Sequence, residues 1–255
     1  MKNLIKKIII CGILLTNIIP SSNAGVGYQS MVIDTVLNNA QTKVEKALVN
    51  SFKSNNINSF NALEVQFNSS KNNWKPYWSA YLAFYKSVYY LKMGDKTSCE
   101  KVINEGILQL DKTAKTSEEF ALLAYLQSFS VQFYKGMAAG FVSSKVKRNA
   151  DKAIALDAKN ARAYFVLGSN DFYTPSAFGG GKKTEEYLIK AISLPDPKVQ
   201  DSVLPSWGKD SAYEMLIKFY IKQKKTDLAK KYYADAQKRY PKNYAINDLG
   251  KQISL

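Results

Sequence analysis

Helical periodicity runs through almost the whole chain, and it recurs in a form that only paired helices satisfy. Four segments close alike: Gly106-Ile107-Leu108-Gln109-Leu110-Asp111, Lys152-Ala153-Ile154-Ala155-Leu156-Asp157, Lys190-Ala191-Ile192-Ser193-Leu194-Pro195 and Ala236-Gln237-Lys238-Arg239-Tyr240-Pro241. Their leucine or tyrosine positions, 110, 156, 194 and 240, lie 46, 38 and 46 residues apart. Strand-like alternation is nowhere sustained, and apolar residues instead return every three or four positions. A helix–turn–helix unit cannot bury its apolar face alone, so repetition of such units predicts hairpins stacked side by side. The expected fold is all-α: a helical-hairpin repeat array (α-solenoid) of about four hairpins plus an N-terminal helix pair.

The individual helices follow from the same spacing. Residues 31–52 place Ile33, Val36, Leu37, Ala40, Val44, Ala47, Leu48 and Phe52 on one face, and a shorter helix uses Ile57, Phe60, Leu63 and Phe67. Residues 74–93 form one helix, with Pro76 tolerated in the first turn where its missing N–H has no intrahelical partner. Residues 97–110 run back with Val102, Ile103, Ile107, Leu108 and Leu110 inward. Ser117-Glu118-Glu119 opens a third long helix to position 134, because a hydroxyl and acids suit an N-terminal turn. Residues 136–140 read as a loose small-residue stretch, with helices following at 143–156, 160–173, 184–194, 209–222, 226–239 and, as a short tail, 244–253. The domain organisation predicted is a signal peptide at 1–24, a helix pair at 25–72, repeats at 73–243 and a tail or capping helix at 244–255.

The N-terminus carries the pattern of an export signal: Lys2, Lys6 and Lys7, then an apolar run from Ile8 to Ile19, then Pro20-Ser21-Ser22-Asn23-Ala24. Cleavage is expected after Ala24, giving a periplasmic or secreted protein. The run is shorter than the roughly 20 residues of a membrane span. Cys11 follows bulky Ile10 after a short apolar lead, unlike a lipid-anchor site. Loss of the three leading lysines lowers the net charge from +15 to +12. Arginines are confined to Arg148, Arg162 and Arg239. A lysine-dominated excess suits solvated helix faces and a general attraction to anions better than readout of bases, so no nucleic-acid partner is expected.

The 255 residues contain no histidine and two cysteines. Ser-His-Asp and Cys-His catalysis and imidazole zinc sites are thereby excluded, and with Cys11 in the signal Cys99 has no partner and reads as a buried thiol. Ser144-Lys145-Val146-Lys147 matches S-x-x-K but lacks the companion motifs. Gly179-Gly180-Gly181-Lys182-Lys183-Thr184 lacks the spacing, the hydroxyl and the preceding strand of a phosphate loop, so a flexible turn is expected. Glu118-Glu119 and Glu185-Glu186 point apart as helix neighbours and are assigned to the helix dipole. No catalytic residue, metal site or cofactor emerges, although a pair of distant carboxylates stays open as a catalytic alternative.

Aromatic residues are the most informative feature after the repeats. Trp74, Tyr77, Trp78, Tyr81, Phe84, Tyr85, Tyr89 and Tyr90 occupy more than one face of a single helix. Packing between hairpins accounts for most of them, and a groove for a peptide or glycan is the competing role. The candidate binding residues are Trp74, Tyr77, Trp78 and Tyr81 together with Tyr173, Thr174, Pro175, Phe178 and Trp207 on connections.

The stretch from Asp157 to Gly168, Asp-Ala-Lys-Asn-Ala-Arg-Ala-Tyr-Phe-Val-Leu-Gly, resembles the junction between tetratricopeptide (TPR) units. The ordered set Asn73-Trp74-Lys75-Pro76-Tyr77-Trp78-Ser79-Ala80-Tyr81, that junction, Tyr173-Thr174-Pro175-Ser176-Ala177-Phe178-Gly179-Gly180-Gly181-Lys182 and Pro205-Ser206-Trp207-Gly208 resembles exported TPR-like proteins of Bacteroidetes over about residues 30–225. The Phe-Gly-Gly-Gly loop alone is similar to the T component associated with TRAP transporters. TPR units repeat at about 34 residues, so each interval here requires an insertion. The resemblance implies a non-catalytic scaffold that engages an envelope protein or peptide. The alternative is a small-solute or glycan-binding accessory protein for uptake.

Overall fold

The computed structural model describes residues 34–195 and 201–253; the expected signal peptide at 1–24 lies outside them. Among the described residues there are eleven α-helices and no strand: α1 (Ala40–Ser54), α2 (Asn58–Ser69), α3 (Lys75–Lys92), α4 (Lys96–Thr113), α5 (Ser117–Ser130), α6 (Gly136–Leu156), α7 (Ala161–Tyr173), α8 (Thr184–Ser193), α9 (Lys209–Lys222), α10 (Thr226–Arg239) and α11 (Tyr244–Ile253). Two 3-10 turns, Val131–Phe133 and Ser176–Phe178, follow α5 and α7.

The helices pair as α1–α2, α3–α4, α5–α6, α7–α8 and α9–α10, and α11 closes over α9 and α10. The first helices of successive hairpins also touch: α1 with α3, α3 with α5, α5 with α7 and α7 with α9. They run parallel. Near their starts Asn160 donates to Ser117 Oγ and Arg162 meets Glu118; near their ends Phe52 meets Tyr89 and Lys222 covers Phe172. The odd-numbered helices therefore form an inner row, the even-numbered ones an outer row, and every turn within a hairpin falls along one edge.

Burial follows this layering. Inner α3 buries Tyr77, Trp78, Ala80, Tyr81, Leu82, Phe84, Ser87 and Tyr89, and α5 is likewise buried on most sides, as helices with neighbours all round must be. Outer α4 buries one stripe, Cys99, Ile103, Gly106 and Leu110, and α6 buries Val146, Ala150 and Ala153. Tight crossings need small residues: a Cβ on Gly168 would come within 2.7 Å of Leu188 on α8.

Three local expectations change. The first helix begins at Ala40, because Asn39 takes the left-handed conformation (φ 54°) that asparagine tolerates and gives its N–H to Ser202 O. Residues 136–140 are the first turns of the 21-residue α6, where Met137, Ala138 and Ala139 outweigh two glycines. Leu108 is exposed, since the inward stripe of α4 passes through Gly106 and Leu110. The uneven intervals also find a cause: α6 is long, and many residues separate the end of α8 at Ser193 from the start of α9 at Lys209.

Cys99 is fully buried, and burial pushes its thiol up to about 11. A thiolate is thus scarce at neutral pH. Colorimetric thiol titration of the folded chain is expected to leave Cys99 unlabelled until denaturant is added.

Candidate functional site: the inner face of the hairpin row

The sequence closes the inner face with its own backbone. Residues 201–208 of the α8–α9 connection run across the inner row as a strap. At its near end Ser202 O accepts from Asn39 N (2.8 Å), and Gln41 Oε1 on α1 accepts from Ser206 N (2.8 Å) and Trp207 N (3.1 Å). In the middle Val203 O accepts from Trp78 Nε1 (2.9 Å), and Trp207 Nε1 donates to the Tyr77 hydroxyl (2.8 Å). Both α3 donors and acceptors are fully buried, so these bonds replace water that cannot reach them. The Trp207 ring stacks on Tyr125 of α5 (centroids 5.0 Å, 28°) and meets Tyr81 of α3 and Phe165 of α7 at 6.1 and 6.5 Å.

An ion pair holds the far side. Arg162, on the first turn of α7, donates from Nε and Nη2 to the two carboxylate oxygens of Glu118 on α5, each at 2.5 Å, and from Nη1 to Trp207 O (3.1 Å). Burial opposes the guanidinium's charge most strongly, but hydrogen bonding and attraction from Glu118 together restore it and leave the Arg162 pKa raised. Asn160 starts α7 by accepting from Arg162 N and Ala163 N (3.0 and 3.2 Å), which sets the guanidinium's origin. Glu118 thus does more than serve the helix dipole; it joins two hairpins.

Above this anchorage lies a half-buried patch of tyrosines and carboxylates. The Tyr81 hydroxyl donates to Tyr85 Oη (3.2 Å) and lies 3.5 Å from Glu45 Oε1, which also accepts from Gln41 Nε2 (2.9 Å). Asp210, in the first turn of α9, accepts from Gly208 N (3.3 Å) and Asn243 Nδ2 (3.1 Å); Glu214, one turn on, pairs with Lys218. Burial raises the Glu45 carboxyl above the usual range, and the charge of Asp210 adds to the rise. Tyr85 is pushed up to about 12, chiefly by burial, and Tyr125 higher still from the same cause, with Tyr85, Glu214 and Asp210 adding. These hydroxyls stay protonated at neutral pH and keep a proton to offer a ligand, while the carboxylates accept. In a chain of net charge +15 the patch is locally acidic, which suits a cationic group over aromatic faces.

Glu45 also gives a pH prediction. Its folded pKa is raised, so the folded state holds its proton more tightly than the unfolded state and stability falls as pH rises through that window. Glu45→Gln is expected to flatten this part of the Tm-versus-pH profile and to raise Tm at pH 7, as read by differential scanning calorimetry.

The candidate residues divide. Tyr77, Trp78, Tyr81 and Trp207 come together on the inner face, but buried, where they seat the strap; Trp74, half-buried, packs edge-on against Tyr77 at 5.2 Å. Tyr173, Thr174, Pro175 and Phe178 lie at the other end of α7, on the turn to α8. Of these, Tyr173 is 66% exposed and meets Phe172 edge-on (5.0 Å). The glycine loop is self-satisfied: Gly179, Gly180 and Gly181 donate to Ser176 O, Pro175 O and Asp171 O, leaving no cradle of free amides for phosphate. Ser144 bonds Gly140 O and Lys147 pairs with Asp151, so the two form no dyad. Sequence reasoning missed Gln41, Glu45, Glu118, Tyr125, Arg162, Asp210 and Glu214 as a set. Their one advance signal is Arg162, one of three arginines in a chain dominated by lysine.

No protein-family model matches the chain, and neither a curated protein nor a solved structure matches it. Among the described residues no helix is long and apolar enough to cross a membrane, and no three or more Cys, Asp or Glu side chains gather as a metal site would need.

Proposed function

We propose that the chain is an exported TPR-like scaffold, non-catalytic, that binds an envelope protein or peptide through the inner face of its hairpin row. Parallel first helices facing one another across successive hairpins support the TPR-like reading, and the N-terminal pattern of lysines, apolar run and small residues supports export. The observation that carries the binding reading is the tyrosine–carboxylate patch of Glu45, Tyr85, Tyr125, Asp210 and Glu214, which gathers side chains from four helices beside the strap. Its polar groups are tied by hydrogen bonds to Gln41, Tyr81 and Asn243, an arrangement that orients acceptors for a ligand's cation. The fitting partner is an extended segment carrying a lysine or arginine. Cross-linking pull-down from envelope extract is expected to recover one protein with the parent chain and to lose it with Glu45→Gln/Asp210→Asn. No recovered protein, or equal recovery by that variant, defeats the reading.

Protonated tyrosine hydroxyls beside carboxylates also match sugar hydroxyls, which favours a glycan or small solute as the second reading. A thermal shift with a member of a broad saccharide and metabolite panel supports it, and uniformly flat melting curves remove it.

A further inference from the structure

Because the first helices run parallel, the five turns within hairpins share one edge, and two neighbouring turns on it are built from stretches without acids. No acidic residue occurs between Glu119 and Asp151, nor between Asp171 and Glu185, the two stretches that build the α5–α6 and α7–α8 turns. Asp171 itself is turned inward, accepting from Lys183 N (2.9 Å) and Thr184 Oγ1 (2.7 Å). Exposed lysines stand along the edge, among them Lys92, Lys135, Lys182 and Lys222, alongside the exposed acids Asp95, Glu186 and Asp227.

Large apolar side chains stand out among those lysines. Met137 is 94% exposed and Phe178 81%, and Phe141 is exposed one turn after Met137 on the same face of α6. Phe178 and Ser144 line one cleft of about 250 Å³, which sets the α7–α8 turn beside the start of α6. Lys145 reaches over Phe141 (4.7 Å) and Lys222 over Phe172 (4.8 Å), so cations and apolar groups are interleaved. Single exposed apolar residues are ordinary, but three at two neighbouring lysine-bearing turns are not.

We propose that this edge docks the protein on the surface of an anionic phospholipid bilayer, the lysines meeting phosphates and Met137, Phe141 and Phe178 entering the headgroup layer. Charge complementarity selects an anionic surface, and the protruding apolar tips select a bilayer over a nucleic acid or an acidic protein, which offer nothing for them to enter. The inference is independent of what the inner face binds and goes beyond that reading.

The test is co-flotation of the full chain with phosphatidylcholine vesicles and with mixed phosphatidylcholine–phosphatidylglycerol vesicles, variants being checked for helicity by circular dichroism. The parent is expected to favour the anionic vesicles and to lose that preference in high salt. Lys92→Gln/Lys135→Gln/Lys182→Gln is expected to weaken the anionic preference by roughly a hundredfold, near fivefold per lysine at the surface. Lys71→Gln/Lys112→Gln/Lys159→Gln, with the same net charge but on the opposite edge, is expected to bind as the parent does. Met137→Ser/Phe178→Ser is expected to reduce flotation at unchanged charge. No preference for anionic vesicles, or equal losses from the two lysine sets, overturns the proposal. Parent-like flotation of Met137→Ser/Phe178→Ser also overturns it, in favour of a generic polyanion surface.

Discussion

Glu118→Ala is expected to destabilise the protein by about 3–5 kcal/mol, because it strands the Arg162 guanidinium in a buried position with its main counter-charge gone. The side chain of Arg162 is 7% exposed, against 20% for Glu118, so the two halves of the pair are not equivalent. Arg162→Met removes the more deeply buried charge and leaves a carboxylate that reaches water, so its cost is expected to be the smaller of the two. It still loses the bond to Trp207 O and with it one fastening of the strap. Glu118→Leu/Arg162→Met removes both charges together and is expected to recover most of the loss, since a buried pair returns little net stability over an apolar replacement. Urea midpoints at constant m-value measure all three. Equal losses for Glu118→Ala and the double variant would falsify the assignment of the cost to an unpaired charge.

The second large effect belongs to Trp207. Trp207→Ala removes a buried ring that touches Tyr81, Tyr125 and Phe165, and truncations of this kind cost about 3–5 kcal/mol. It also leaves the hydroxyl of fully buried Tyr77 without its donor, which adds on the order of 1–3 kcal/mol. Trp207→Phe separates the contributions: ring packing survives in part while the Nε1–H bond is lost. Chemical denaturation is expected to rank the chains parent, Trp207→Phe, Trp207→Ala. Limited proteolysis of Trp207→Ala is expected to cut first in the 195–208 connection. Parent-like resistance there would show that the strap is held without its tryptophan.

Much of the fold is legible in the sequence because outer helices obey a simple rule. Ile103 and Leu110 of α4 are found by counting threes and fours, while Leu108 is misplaced because the buried stripe passes through side-chain-free Gly106. The inner helices also announce themselves: α3 is aromatic on several faces, and a helix with neighbours on several sides must be. The strap is hidden for the opposite reason. Residues 201–208 have no period, and their partners lie far away, Trp78 at 125 residues and Gln41 at 165. Nothing in the local spelling of Pro205-Ser206-Trp207-Gly208 states that Gln41 and Tyr77 await it. The patch is illegible for a related reason, since Glu45 and Asp210 look like ordinary surface acids of their own helices until α1 and α9 are brought together. Asn39 shows the same limit on a small scale. An apolar pattern runs through it, yet its left-handed backbone delays the helix to Ala40 in favour of a hydrogen bond to Ser202.

The strap also sets a timetable. Hairpins in a row exchange contacts mainly with their neighbours, so such a chain can gain or lose its ends one unit at a time. Here the first hairpin is tied to residues 202–207, which leave the ribosome only after three more hairpins have been made. Loop closure over that distance is slow, and long sequence separation retards folding generally. The N-terminal hairpin therefore gains full protection late, and afterwards it no longer frays by itself: in hydrogen exchange α1 and α9 are expected to open together, as one cooperative unit.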